Sequence, residues 1–296
     1  MRPNTPGLDG VLVVDKPQGP TSFDVVRDVR NALKTRKVGH TGTLDPMATG
    51  VLAICLGDAT RIAQYLTDGD KAYEAVIRFG AETDTLDAEG KVTAEYPLPV
   101  LTREGLEVAL ASFRGPILQT PPMYSAIKMG GKRLYELARA GEEVERKARD
   151  ITVFALELRD FSASEVRLFV KASKGFFVRS LAQDLGRALG SGAHLNALRR
   201  VASGPFVLSQ AISLAEVVAR GPAVAPLLIS VEASLLAIPS VTVTAAEASK
   251  VMHGVQVETS APEGLVRVLG PDGELLAMAD AERGRLKYRR VLAKRS

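Results

Sequence analysis

The sequence predicts an α+β fold, with strands interspersed among amphipathic helices in one large domain and a smaller, strand-containing module behind it. Three observations carry this. Residues 71–80 alternate in polarity, placing Tyr73, Ala75, Ile77 and Phe79 on one face, the period of a half-buried strand. Residues 151–161 and 165–173 form a further pair of strand-like runs around the polar bend Ser162–Ala163–Ser164. Residues 21–33, 102–113 and 176–189 repeat apolar side chains at helical spacing.

Taken in order, residues 10–15 (G-V-L-V-V-D) are a valine-rich run expected to be a buried strand, ended by Lys16-Pro17-Gln18-Gly19-Pro20. Thr21 or Ser22 then caps a helix to about Leu33. Asp24 lies in its first turn, where a carboxylate is favoured, and Phe23, Val26, Val29 and Leu33 make the apolar stripe. Residues 51–56 are another apolar run, and Asp58 is placed as the N-cap of a helix over 59–66. Residues 80–90 read as a polar turn ending in D-A-E-G. Thr102 caps the next helix, marked by Leu106, Val108 and Leu110. Pro121 and Pro122 make 119–126 a rigid loop, and a basic helix is expected over 131–140. In the helix over 176–189, Val178, Leu181, Leu185 and Leu189 face the core. Arg179 falls off that stripe in the first turn, where a cation opposes the helix dipole and calls for a carboxylate partner. The residues alone do not say which. The Pro- and Ala-rich stretch 222–239 is read as a passage between modules, dividing the chain into 1–235 and 236–296. Strand-like runs at 265–269, 274–279 and 291–292 and a helix near 245–253 follow.

The 296 residues suffice for one large domain and one small one, and 46% of them are hydrophobic, enough for an ordinary core. No apolar run is long enough to span a bilayer, residues 1–10 lack the pattern of a secretory signal, and Cys55 is the only cysteine. Together these suit a cytoplasmic protein without disulfides. His40, His194 and His253 have no metal-ligand spacing, so no metal is expected. Hydrolase triads, zinc-protease and P-loop motifs are absent from the sequence. The net charge of +4 is mild, but its distribution is uneven. Arg27, Arg30, Lys34, Arg36 and Lys37 precede residue 39. Lys128, Lys132, Arg133, Arg139, Arg146, Lys147 and Arg149 form a second run, and Arg283, Arg285, Lys287, Arg289, Arg290, Lys294 and Arg295 a third. One such run is commonly a solvated face. Three of them, in a chain without tryptophan, point to contacts with a phosphate backbone more than to single-strand stacking.

Residues 39–52, G-H-T-G-T-L-D-P-M-A-T-G-V-L, surround one carboxylate, Asp45, with three glycines and three threonines. Pro46 restricts Asp45 to extended conformations, and the glycines admit positive φ and close backbone approach. By themselves these residues fit either a turn begun by Asp-Pro or a rigid loop presenting a carboxylate for chemistry.

This stretch resembles the signature loop of the bacterial tRNA pseudouridine-55 synthases, the TruB family. Further matches follow in the same chain: D-K-P-x-G-x-T-S (15–22), K-x-Y (71–73), Q-x-P-P-x-x-S-A (119–126), G-x-x-L-Y-x-x-A-R-x-G (131–141), S-K-G-x-x-x-R-S-L (173–181) and G-x-G-A-H-L-x-x-L-R-R (190–200). The resemblance covers about 10–215 well. Residues 241–296 resemble the family's small PUA-like RNA-binding module in position and composition.

The resemblance implies a pseudouridine-synthase-like domain, a bent, mostly antiparallel mixed sheet flanked by helices, plus that β-rich C-terminal module. It implies a cofactor-free isomerase acting on the T-arm stem-loop of tRNA, with no obligate protein partner and a monomeric state. By the same resemblance Asp45 is the nucleophile, attacking C1′ or C6, and Arg179 pairs with it and holds it ionised. Tyr73 stacks on the target uracil and is a proton-transfer candidate, although the residue alone reads as a half-buried ring with its hydroxyl in water. Phe177 stands where the family often has tyrosine, keeping a ring and losing a hydroxyl. Leu198 lines the pocket, and His40, by itself an ordinary loop histidine, fills the gap left by a flipped base. Lys16 is placed among the RNA-binding residues, although the D-K-P motif itself favours a structural role. Two other classes fit parts of the sequence: an RNA binder or chaperone with this fold, and an aspartate-nucleophile hydrolase of a small molecule.

Overall fold

The computed structural model describes residues 8–125, 127–142 and 144–292. Part of the stretch 1–10, Ala126, Lys294 and Arg295 therefore lie outside the described residues, as do the side chains of Lys128, Arg133 and Arg139. The chain runs β1 (Gly10–Lys16), α1 (Ser22–Ala32), β2 (Val38–His40), β3 (Thr49–Leu56), α2 (Ala63–Thr67) and β4 (Lys71–Phe79). It continues through β5 (Ala81–Thr83), β6 (Val92–Glu95), α3 (Arg103–Ala111), β7 (Gly115–Gln119), β8 (Lys128–Met129), β9 (Lys132–Arg133) and α4 (Leu134–Arg139). Then come β10 (Arg149–Phe161), β11 (Glu165–Ala172), α5 (Val178–Ala188), β12 (Ala193–Ser203), β13 (Phe206–Val207), β14 (Ile212–Ser213), α6 (Leu214–Arg220) and α7 (Val231–Ser234). β15 (Ser240–Thr242), α8 (Ala245–Met252), β16 (Gly264–Leu269), β17 (Leu275–Glu282) and β18 (Arg285–Val291) complete it.

A ten-stranded mixed sheet has the order β14-β1-β3-β12-β4-β11-β10-β7, with β2 added on β3 and β13 on β12. Its pairs are antiparallel except β1 with β14 and β12 with β3. The parallel β3–β12 contact sets Arg199 against Thr49 and Arg200 against Gly50, so the strand carrying the two arginines lies beside the exit of the 39–52 loop. Burial of Val25, Val29, Leu106, Leu110, Leu181 and Leu185 fixes α1, α3 and α5 on one face of the sheet, in one continuous core with Leu52, Ile54, Ile77 and Val170. On the other face, Val11, Val13, Val51, Ala53 and Cys55 pack against Ile62, Tyr65 and Leu66 and against Leu275 and Met278 of the C-terminal module. Burial there pushes the Cys55 thiol up to about 12, which keeps it an inert apolar filler.

The C-terminal module is a second sheet, β15-β16-β17-β18, with α8 and its own core around Val251, Val266, Val268 and Leu286. Arg61 fastens the two parts by donating to the Leu292 carbonyl at 2.9 Å and to that of Val291.

Several expectations need correction. Thr21 caps α1 with a full capping box, but Phe23 is 66% exposed and the stripe is Ser22, Val25, Val26, Val29 and Leu33. Residues 59–66 are not one helix capped by Asp58: a 3₁₀ turn, Gly57–Arg61, precedes α2, and Asp58 sits inside that turn, 3.4 Å from Lys37. Val108 is 77% exposed, so α3 buries only Leu106 and Leu110. The basic helix over 131–140 begins with strand β9. The strand-like run at 291–292 is only the end of β18, which starts at Arg285 and takes in the charged residues before Val291. The polar turn 80–90 contains β5, and its Asp87 is buried.

Candidate active site

Asp45 is presented by a loop that four tethers hold from different sides. Lys16, at the end of β1, is fully buried and its ammonium donates to the carbonyls of Pro17 (3.0 Å), Pro46 (3.1 Å) and Ala48 (2.7 Å). Burial pulls its pKa down to about 8, against the attraction of Asp45. Placing Lys16 among the RNA-binding residues is thus corrected: an ammonium committed to three internal carbonyls holds the loop. From α1, Ser22 Oγ donates to Leu44 C=O at 3.0 Å and accepts from Leu44 N–H at 2.8 Å. The Gly19 N–H reaches Pro46 C=O at 2.9 Å.

The fourth tether is Arg200 in β12. It is 2% exposed and donates to the carbonyls of Gly42 (3.1 Å), Thr43 (3.3 Å) and Val51 (2.7 Å). Its neighbour Arg199 forms a forked pair with Asp15 at 2.7 and 3.2 Å. Gly50 makes the close passage of β3 against this strand possible. Its φ is +99°, and a Cβ there would lie 2.2 Å from the Arg200 carbonyl oxygen.

Arg179 enters from the first turn of α5. Its side chain is 6% exposed and lies 3.0 Å from Asp45 Oδ2 and 3.7 Å from Asp87 Oδ2. It also donates to Thr85 C=O at 3.1 Å and Tyr124 C=O at 2.8 Å. These partners answer the cation at the positive end of the helix. Asp87 is held in turn, its Oδ1 accepting from Thr85 Oγ1 (2.6 Å) and the Glu89 N–H (3.2 Å). The guanidinium is therefore fixed on one carboxylate and offered to another that is 36% exposed. Burial pushes the Asp45 carboxyl above the usual carboxylate range; Arg179 opposes that shift and Asp87 adds to it.

Tyr73 in β4 is half-buried and stands opposite Arg200 in β12. Burial raises its pKa, and the Arg200 guanidinium opposes that shift. Leu198, 9% exposed, pairs with Ala75 on the same two strands. His40 is half-buried, and its Nδ1 accepts from the Gly42 N–H at 3.2 Å; burial, with a smaller push from Arg200, lowers its pKa, so its ring is neutral near pH 7. Phe177 is the residue before α5, two positions from Arg179, and Gln119 holds its backbone.

The fold brings Asp45 to Arg179 directly and sets Tyr73 opposite Arg200, whose guanidinium holds the loop of Asp45; Leu198 lies two residues before Arg200, His40 at the entry of that loop, and Phe177 two residues before Arg179. Sequence reasoning missed Asp87, Arg200 and Gln119. Asp87 was hidden in a stretch that reads as a polar turn. Arg200 and Gln119 do lie in segments singled out above, yet nothing local to them announces which backbone groups they hold. Among the described residues no cluster of His, Cys, Asp and Glu could hold a metal ion, and no helix is long and apolar enough to cross a membrane.

A buried arginine thus fixes the direction of a partly open aspartate, which the loop around it presents to solvent. Solved structures share the surrounding fold. The protein described as "Crystal Structure of a Cbf5-Nop10-Gar1 Complex" superposes with a TM-score of 0.76 at 27% identity, over 96% of this chain and 85% of that one. Three family models match: the TruB family pseudouridylate synthase N-terminal domain over 30–178, the tRNA pseudouridylate synthase B C-terminal domain over 179–235, and the tRNA pseudouridine synthase II C-terminal domain over 238–293. The tRNA pseudouridine synthase B of Azoarcus sp. (strain BH72) is 45% identical over 97% of this chain and 95% of its own length. That of Symbiobacterium thermophilum is 51% identical over 84% and 83%. The chain belongs to the TruB family of pseudouridylate synthases.

Proposed function

We propose that this chain is a tRNA pseudouridine synthase that isomerises the T-loop uridine at position 55, with Asp45 as nucleophile. The Arg179–Asp45 contact at 3.0 Å, backed by buried Asp87, carries the reading. The C1′–N1 bond of the uridine breaks, the base turns within the pocket, a C5–C1′ bond forms, and the C5 proton leaves while N1 regains one. No redox partner or water is consumed. Asp45 forms the covalent intermediate at C1′ or C6 and is released at the end. Tyr73 and Phe177 enclose the flipped uracil, Leu198 lines the pocket wall, and Tyr73 is the candidate for exchanging the proton. His40, neutral and flat, occupies the gap in the RNA stack.

The C-terminal module, taken from residue 236, supports the RNA through its basic edge strand. Arg285 and Arg290 there are exposed, whereas Arg289 is committed to Asp280 at 2.7 Å. The test is to incubate the protein with an unmodified tRNA transcript and map pseudouridine by carbodiimide adducts and primer extension. A single new stop at the T-loop uridine is expected. Stops in other arms, or none, would overturn the assignment.

A further inference from the structure

Helix α1 carries an aromatic ring and two cations that the site described above does not use. Phe23 is the most exposed of the described aromatic side chains, at 66%, although its position suggests a core residue. It follows Ser22, whose hydroxyl is locked to Leu44, the residue before Asp45. The backbone that carries the ring is therefore tied to the Asp45 loop by the same bonds that hold that loop.

At about 100° per residue, Phe23, Arg27 and Arg30 fall within about 60° of one another, at i, i+4 and i+7. Asp24 and Asp28 occupy the adjoining strip, where Arg27 contacts both (2.6 and 3.3 Å). The opposite side of α1 is covered, since a Cβ on Gly221 would lie 3.3 Å from the Ala32 carbonyl oxygen. Arg27 is 52% exposed, and the buried Nε of Arg30 has no hydrogen-bond partner. This flank thus presents the exposed Phe23 ring first, the exposed but carboxylate-paired Arg27 a turn further on, and then the half-buried Arg30. That order suits a nucleic-acid strand, with a base or ribose face beside the cleft and phosphates beyond.

We propose that this flank of α1 is a second RNA-contacting surface, on which Phe23 covers a nucleoside neighbouring the flipped one and Arg27 and Arg30 neutralise phosphates of the strand leaving the site. The proposal rests on the RNA-modifying reading and extends it to residues outside the catalytic cleft.

The experiment measures single-turnover isomerisation and RNA binding against RNA and salt concentration for four variants: Phe23→Ala, Phe23→Tyr, Arg27→Gln/Arg30→Gln, and Val108→Ala as an exposed apolar control. Phe23→Ala raises the RNA concentration at half-maximal rate by on the order of tenfold, the loss of one stacked ring, without changing the saturating rate. Phe23→Tyr, which keeps the ring, recovers most of that loss. The double arginine variant lowers the slope of log affinity against log salt by about 1.5. Wild-type affinity and slope in Phe23→Ala and in the double variant, with full wild-type activity, would overturn the proposal and leave the enzyme assignment standing. No isomerisation by the wild type would instead overturn the assignment on which it rests.

Discussion

Gln119 holds both backbone polar groups of Phe177: its Nε2 donates to the Phe177 carbonyl at 3.0 Å, and its Oε1 accepts from the Phe177 N–H at 2.8 Å. Gln119 is 3% exposed, and the Phe177 carbonyl accepts in addition from the Leu181 N–H at 3.2 Å. The clamp joins the end of β7 to the entry of α5 and sets both the Phe177 ring and, two residues on, the Arg179 side chain. Gln119→Ala should cost about 1–2 kcal/mol in urea unfolding, the loss of two part-buried hydrogen bonds. It should also lower kcat through a displaced Arg179. Gln119→Glu, which cannot donate to the carbonyl, should do no better.

The second carboxylate on Arg179 makes a further prediction. Asp87→Asn keeps the volume but removes a charge from the guanidinium, so Arg179 is less firmly placed. The saturating rate should fall about tenfold to a hundredfold, with RNA affinity little changed. The pH profile gives an independent check. A raised Asp45 pKa means that the reactive carboxylate is present above that pKa and lost as pH falls through it, so the acid limb of kcat/KM lies above the ordinary aspartate range. Asp87 contributes to that elevation, so Asp87→Asn should shift the limb toward lower pH.

Gly50 offers a test of the loop's mounting. Its positive φ, and the mere 2.2 Å that would separate a Cβ from the Arg200 carbonyl oxygen, leave no room for a side chain. Gly50→Ala should destabilise by about 3 kcal/mol or more, because backbone, not a flexible side chain, must give way. Gly39→Ala in the same loop meets no atom within 4 Å and has no positive φ, so it should be tolerated for folding.

Much of this architecture is legible in the sequence, for identifiable reasons. The alternation in 71–80 reports a strand with one buried face, and burial follows it, with Ala75, Ile77 and Phe79 inside. Thr21 announces the start of α1 because a capping box is local chemistry. Phe23 misleads for the opposite reason: its exposure depends on where the cleft runs, which no periodicity encodes. Asp58 reads as a cap because Gly57-Asp58 resembles one, yet the tight turn there is set by Gly57 packing against Leu8 and Asp9. Asp45 stands out within its own loop, whereas Asp87 and Arg200 acquire meaning only when distant segments close on them.

The central claim is that Asp45 is the nucleophile of a uridine isomerase, and tritium release from an unmodified tRNA transcript labelled at uridine C5 tests it most directly. Wild type and Asp45→Asn would be compared, with RNA binding of both measured alongside. Release by the wild type and none by the variant, at undiminished RNA affinity, is the predicted result. Equal release from both would contradict the account by removing Asp45 from the reaction.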